Sequence, residues 1–153
     1  TSITIEKEIQ QVEAYLALEQ ARFPERFNIH FDIDEALKYA KVPPFIIQIL
    51  VENAIKHAFH NRKSNNDVYV KVKEGQQTIE ISVEDNGFGI PEEKRAHIGH
   101  NEVTSTSGTG SALENLNKRL IGLYNSNAQL NFTTSDSGTK FYTSIPLERE
   151  EDA

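Results

Sequence analysis

The sequence predicts an α+β fold, a two-layer α/β sandwich in which helices cover one face of a mixed, mostly antiparallel sheet. Five segments alternate apolar and polar residues as half-buried strands do, and three longer segments repeat apolar residues at helical spacing. Four of the strand segments form two adjacent pairs, each joined by a short polar turn, as in hairpins. The 153 residues suffice for one domain with a single core.

The first helix is expected to run from its N-cap, Thr4, to Arg22. The second is expected from Phe45 to Phe59, after two prolines that block a helix before them. A repeat of leucines marks the third helix: Leu113, Leu116, Leu120 and Leu123. The first helix carries a narrow apolar stripe: Ile5, Ile9, Val12 and Leu16. Such a stripe suits either the domain's own sheet or a partner helix.

The five strands are expected at residues 27–33, 68–72, 78–83, 129–133 and 139–147. The sequences EGQQ and SDSG supply the two hairpin turns, and residues 61–67 form a polar loop. From Ile90 to Ser107 no periodicity is sustained, although Pro91 followed by two glutamates is typical of a helix start. A long irregular segment in a compact domain is usually functional or mobile, so this one is a candidate part of a site.

The composition excludes several classes of protein. With 37% apolar and 25% charged residues the chain is expected to be globular, and no apolar run is long enough to cross a bilayer. The absence of cysteine excludes disulfide frameworks and thiolate metal sites. A net charge of −7 argues against nucleic acid as a partner, because such binders need a basic surface. It leaves open a small phosphate ligand held by backbone amides and a metal ion.

The second helix, with the sequence PFIIQILVENAIKHAFHN, separates apolar from polar residues around its axis. Its polar half carries Glu52, Asn53, Lys56 and His57. This half is either a solvated face with a Glu52–Lys56 ion pair or a set of groups for Mg²⁺ and phosphates. Mg²⁺ needs few protein ligands beside phosphates and waters, so the amide oxygen of Asn53 would be enough.

The stretch ISVEDNGFGIPEE places Asp85 at the end of a strand, where its carboxylate can accept hydrogen bonds from an amine edge. A hairpin at Asn86-Gly87 would need a second strand at once, and none follows. Gly87 and Gly89 therefore indicate a sharp bend and a close approach to something flat. Farther on, Gly108-Thr109-Gly110 comes just before the third helix. This glycine-rich turn either presents free amides to an anion or is an ordinary flexible helix cap.

The order and spacing of four motifs are specific: LVENAIKHAF, EDNGFGI, GTGSALENLNKRL and SGTKFYTSIPL. Together they resemble the catalytic ATP-binding domain of bacterial sensor histidine kinases, in the superfamily shared with gyrase-type ATPases, large heat-shock chaperones and mismatch-repair ATPases. The leader EKEIQQVEAYLALEQARF is similar to the LytS-like branch. The resemblance covers nearly the whole chain, and it implies the Bergerat-type ATP-binding fold with ATP and Mg²⁺ as cofactors.

By this resemblance the second helix carries the N box. Asn53 would bind Mg²⁺, and Glu52 would assist proton removal or order water as the catalytic residue. Lys56 and His57 would meet the phosphates.

The resemblance also assigns the adenine end. Asp85 would accept from the adenine amino group, and Gly87, Gly89 and Ile90 would lie beside the ring. Thr139 would join this network through its hydroxyl and a water.

The resemblance places an ATP lid over residues 91–107 and a phosphate-binding hinge over residues 108–113. The hinge residues expected to bind ATP are Gly108, Thr109, Gly110, Ser111 and Leu113. One departure is that Ala112 stands where the family has a further glycine, and the Cβ of an alanine would obstruct a positive φ. A degenerate phosphate site without kinase activity is therefore one alternative.

The resemblance implies a division of the chain and several partners. Residues 1–24 would be a linker helix toward a dimerisation domain, residues 25–149 the catalytic domain, and residues 150–153 a tail. No histidine here matches the family's phosphoacceptor motif, so the acceptor helix and a membrane sensor would precede residue 1. The expected partners are that acceptor domain and, through it, a response regulator. The whole kinase would be a homodimer with this domain in the cytoplasm.

Two further alternatives remain from the sequence alone. One is a regulatory ATP-dependent switch of the same superfamily, such as an anti-sigma-factor kinase. The other is a metal site built from two H-x-x-H pairs, His57 with His60 and His97 with His100.

Overall fold

The computed structural model describes residues 2–96 and 109–148, and at residues 109–111, 126 and 127 only the backbone. The strands in these ranges are β1 (Ile3–Thr4), β2 (Phe27–Ile33), β3 (Lys41–Val42), β4 (Asn66–Glu74), β5 (Thr78–Asp85), β6 (Asn131–Ser135) and β7 (Gly138–Pro146). The α-helices are α1 (Ile5–Arg22), α2 (Ile46–His57), α3 (Glu92–Arg95) and α4 (Thr109–Tyr124). Two short 3-10 helices occupy Glu35–Leu37 and Asn125–Ala128.

Five strands form one sheet in the order β2-β4-β5-β7-β6. Only the β2–β4 pair among them is parallel, and the other pairs are antiparallel, which confirms the predicted mixed, mostly antiparallel sheet. The two predicted hairpins are β4–β5 and β6–β7. A second, two-stranded sheet pairs β1 with β3, with Ile3 opposite Val42. Sequence reasoning missed it because a two-residue strand is too short to show alternation.

The helices cover one face of the large sheet, as predicted. In β4 and β5 the residues that face the helices are fully or almost fully buried: Val68, Val70, Val72, Ile79, Ile81 and Val83. Their neighbours on the opposite face, among them Tyr69, Lys71, Glu80 and Glu84, are exposed. Helix α2 packs on β4 and β5, and both α1 and α4 pack on α2. The helix that carries the candidate functional residues is therefore at the centre of the helical layer.

Helix α1 belongs to this core. Its predicted stripe is buried at Ile5, Val12 and Leu16 and packs on α2, a helix of the same chain. Thr4 is the N-cap, as predicted, because its Oγ1 accepts a hydrogen bond from the Lys7 amide at 3.2 Å.

Helix α2 is shorter than predicted. Phe45 has a φ of 71° and lies outside the helix, which begins at Ile46 and ends at His57 instead of Phe59. The chain turns away soon afterwards, where His60 has a φ of 50°. In the segment predicted to be irregular, the helix start indicated by Pro91 and two glutamates is present as α3. Residues 97–107 of that segment, and Gly108 after it, lie outside the described part of the chain.

Candidate functional site

The motif after β5 and the motif on α2 meet at the C-terminal end of α2. The Phe88 amide donates a hydrogen bond to the Ala58 carbonyl at 2.9 Å. A Cβ on Gly87 would lie only 2.2 Å from that same carbonyl oxygen, so no larger residue fits there. The two segments that the sequence singled out are therefore in direct backbone contact.

Asp85 is the last residue of β5, and its side chain is buried. Its Oδ1 accepts hydrogen bonds from the Gly87 amide at 2.9 Å and from the Thr139 amide at 3.3 Å. Among the described residues, Oδ2 receives no hydrogen bond. Burial raises the pKa of Asp85, and the two amide hydrogen bonds only partly oppose this effect. The carboxylate is therefore fixed in orientation and retains an acceptor for a ligand.

Two threonines join the β6–β7 hairpin to the loop after β5. The hydroxyls of Thr134 and Thr139 are 2.8 Å apart, and the Ile90 amide donates to Thr134 Oγ1 at 2.9 Å. Sequence reasoning named Thr139 and Ile90 but missed Thr134. The available signal was the hairpin register, because Thr134 lies opposite Thr139 across the turn.

Gly89 bends the chain as predicted, with a φ of +81°. A Cβ there would lie 2.0 Å from the Ser135 carbonyl oxygen. The fold itself therefore requires glycine at 87 and 89, because each approaches another backbone segment. That they also make room for a ligand ring stays a prediction.

On α2, the side-chain oxygen of Asn53 is buried and has no hydrogen-bond partner among the described residues. An orphaned amide oxygen is costly to bury, and it has the chemistry that a hard cation such as Mg²⁺ prefers. The residue therefore fits the predicted metal ligand. Glu52, half-buried beside it, accepts from Gln48 Nε2 at 2.9 Å and pairs with Lys56 Nζ at 3.5 Å.

Basic groups surround the C-terminal end of α2. Burial lowers the pKa of His57, and the positive charges of Lys56 and Lys94 lower it further. His57 is therefore neutral near neutral pH. Lys56 is largely exposed, so it can turn toward an anionic ligand.

A polar cluster that sequence reasoning missed anchors the loop after β5. The Asp67 amide donates to Asn86 Oδ1 at 2.8 Å, and Asn86 Nδ2 donates to Asp67 Oδ2 at 3.1 Å. Arg62 donates to the Asn86 carbonyl at 2.7 Å and to Asn66 Oδ1 at 2.9 Å. The contacts of Asn86 join residues 19 and 24 positions apart in sequence, so no local pattern could have indicated them.

The remaining predicted site residues lie at the start of α4. Its first turn contains Thr109, Gly110 and Ser111, whereas Gly108 lies outside the described residues. The Leu113 side chain is buried in the core. Ala112 is helical and exposed, and a right-handed helix accommodates its Cβ.

Within residues 2–96 and 109–148, no group of three or more His, Asp or Glu residues could hold a metal ion. His97 and His100 of the proposed metal site lie outside these ranges. None of the helices in the same ranges is both long and apolar enough to span a membrane.

The sheet order, the carboxylate at the end of β5 and the amide on α2 together define a class, the ATPases that share the histidine kinase and gyrase fold. Residues 44–149 match the family described as Histidine kinase-, DNA gyrase B-, and HSP90-like ATPase. The chain belongs to this family.

Two relatives specify the branch. The chain is 57% identical to the sensor protein LytS of Staphylococcus epidermidis over 147 residues, which are 96% of this chain and 25% of LytS. It is 54% identical to the sensor histidine kinase/phosphatase LytS of Staphylococcus aureus over 152 residues, 99% of this chain and 26% of that protein. The chain thus spans about a quarter of the length of these curated relatives, and the predicted LytS-like histidine kinase ATP-binding domain is confirmed.

Solved structures show the same fold. A nucleotide-free catalytic domain of histidine kinase ThkA has a TM-score of 0.72 at 20% identity, covering 95% of this chain and 96% of that one. ThkA in complex with the response regulator TrrA has a TM-score of 0.68 at 18% identity, covering 97% of this chain and 42% of that one.

Proposed function

We propose that this domain binds Mg-ATP and transfers the γ-phosphate to a histidine on a dimerisation domain outside these residues. The observation that carries the proposal is the buried, oriented carboxylate of Asp85, whose Oδ2 can accept from the adenine amino group. Gly87, Gly89 and Ile90 would line the ring, and Thr139 would contribute its hydroxyl.

The α2 face would hold the other end of the nucleotide. Asn53 Oδ1 would ligate Mg²⁺, which when bound would neutralise phosphate charge. Glu52 is held between Gln48 and Lys56, so its carboxylate is oriented to order water or accept a proton. Lys56 and neutral His57 would contact phosphate oxygens, together with backbone amides of residues 108–113.

The partners follow from the same proposal. The phosphoacceptor domain would present its histidine to this site, and a response regulator would receive the phosphate from that histidine. The whole kinase would be a membrane-anchored homodimer with this domain in the cytoplasm.

Calorimetric titration of the chain with ADP, with and without Mg²⁺, tests the proposal. We expect binding in both conditions, stronger with Mg²⁺, and loss of binding in Asp85→Ala. Absence of binding by the folded wild-type chain with Mg²⁺ present would contradict the nucleotide site.

A further inference from the structure

The N-terminus of α2 is capped by a side chain from another helix. Phe45 occupies the N-cap position, and its side chain has no oxygen to accept from the first turn. The buried carboxylate of Glu8 on α1 accepts these hydrogen bonds in place of a cap side chain. Glu8 accepts from the amides of Phe45 at 3.0 Å, Ile47 at 3.0 Å and Gln48 at 3.1 Å.

This carboxylate is at the junction of three helices. Glu8 is 0% exposed, and burial raises its pKa. The three amide hydrogen bonds and the N-terminal end of the α2 dipole oppose this effect in part. Arg119 on α4 donates to the Pro44 carbonyl at 2.6 Å, next to the same turn. Glu8 therefore caps α2 from α1 and fixes the two helices relative to each other.

A short hydrogen-bond chain connects Glu8 to the functional face of α2. Glu8 holds the Gln48 amide, and the Gln48 side chain donates to Glu52 Oε2 at 2.9 Å. Asn53 follows Glu52 directly in the helix. Gln48 therefore lies between the Glu8 carboxylate and both proposed N-box residues.

We propose that Glu8 is a positioning residue of the nucleotide site, acting through Gln48 on Glu52 and Asn53. The inference rests on the proposed function of α2 as the Mg²⁺ and phosphate face. It implies that a displacement of α1 changes the alignment of the N box and leaves the adenine end, held by β5 and β7, unchanged.

The test is the ratio of ADP affinities with and without Mg²⁺, measured by calorimetry in wild type and Glu8→Gln. Glutamine has the same size but only one acceptor oxygen. It therefore cannot accept both from the Phe45 amide and from the amides of Ile47 and Gln48. We expect the Mg²⁺ ratio to fall roughly fivefold, which corresponds to about 1 kcal/mol of lost Mg²⁺-dependent binding. The affinity without Mg²⁺ should stay unchanged, because Asp85 is intact.

Two further variants complete the design. Val72→Ala removes buried apolar contacts in β4 and should lower stability while leaving the Mg²⁺ ratio intact. Gln48→Leu keeps the capped backbone amide but breaks the link to Glu52, so it should also lower the ratio.

The outcomes are distinguishable. An unchanged ratio in Glu8→Gln, or equal losses with and without Mg²⁺, overturns the positioning role. If Glu8→Gln does not fold, an unchanged ratio in Gln48→Leu overturns it. If the wild-type chain binds no nucleotide, the proposed function itself fails.

Discussion

At the scale of single residues, two oxygen atoms distinguish the candidate site from an ordinary polar surface. Asp85 is buried yet oriented by two amides, and the side-chain oxygen of Asn53 is buried without a partner among the described residues. An unsatisfied buried group costs about 1–3 kcal/mol, so Asn53 trades stability for an available acceptor. At Asp85 the cost is the burial of the carboxylate, which raises its pKa.

Asp85→Asn should bind ADP more weakly without destabilising the fold at neutral pH. The folded-state pKa of Asp85 is raised, so the folded chain retains this proton at a pH where the unfolded chain has lost it. The free energy of unfolding therefore falls as pH rises from about 3.9 through the folded-state pKa. Urea unfolding of both proteins from about pH 4 to about pH 7 measures the effect. If the difference in free energy of unfolding between wild type and Asp85→Asn does not vary with pH, the raised pKa of Asp85 is contradicted.

Asn53→Ala should remove most of the Mg²⁺ dependence of ADP binding and leave the ligand-free chain at least as stable. Alanine is the better helix former by roughly 0.5 kcal/mol, and the orphaned oxygen is gone. Urea unfolding without ligand and calorimetry with Mg-ADP check the two effects. A clear loss of ligand-free stability would show that the Asn53 side chain is structural.

The motif residues Glu52, Asn53 and Asp85 could be predicted because their chemistry is local: a residue type at a helical or strand-end position. Thr134 could have been found from the hairpin register, but Asn86 and Arg62 could not, because their importance depends on loops that meet only in the folded chain.

At the scale of elements, backbone contacts between loops and helices hold the site together. Gly87 touches the end of α2 and Gly89 touches the end of β6. Periodicity predicted the long helices and all five strands of the large sheet, since their apolar faces are buried. It did not predict the β1–β3 pair or the left-handed Phe45, because tertiary contacts determine both.

Gly87→Ala should destabilise the chain by about 1–3 kcal/mol, the usual cost of overpacking. The added Cβ would lie 2.2 Å from the Ala58 carbonyl oxygen, a backbone atom that cannot rotate away. Gly122→Ala is the matched control, since a Cβ in that helical position meets nothing within 4 Å. It should stabilise the chain by about 0.5–1 kcal/mol. Equal effects in denaturant unfolding would contradict the close contact.

At the scale of the whole molecule, the structural domain begins before the family match at residue 44. Helix α1 buries Ile5, Val12 and Leu16 and caps α2 through Glu8. The sequence predicted this helix and its stripe but left open what the stripe contacts. That residues 1–24 also lead to a dimerisation domain stays a prediction.

Removal of residues 1–24 should therefore lower the thermal unfolding midpoint strongly. Each lost aliphatic contact of this kind is worth about 1.5–3 kcal/mol, and α2 loses its cap as well. Circular dichroism melts of the full and shortened chains measure the change. An unchanged midpoint would show that α1 is only a tether.

The most direct test of the central claim compares ADP with inosine diphosphate, which carries a carbonyl in place of the adenine amine. If Asp85 accepts from that amine, wild type should prefer ADP by roughly tenfold or more, the worth of a hydrogen bond to a charged group. The side-chain amide in Asp85→Asn can donate to the carbonyl of inosine diphosphate. The preference of this variant for ADP over inosine diphosphate should therefore become smaller or reverse. Equal affinities in wild type, or an unchanged preference in Asp85→Asn, would contradict the account.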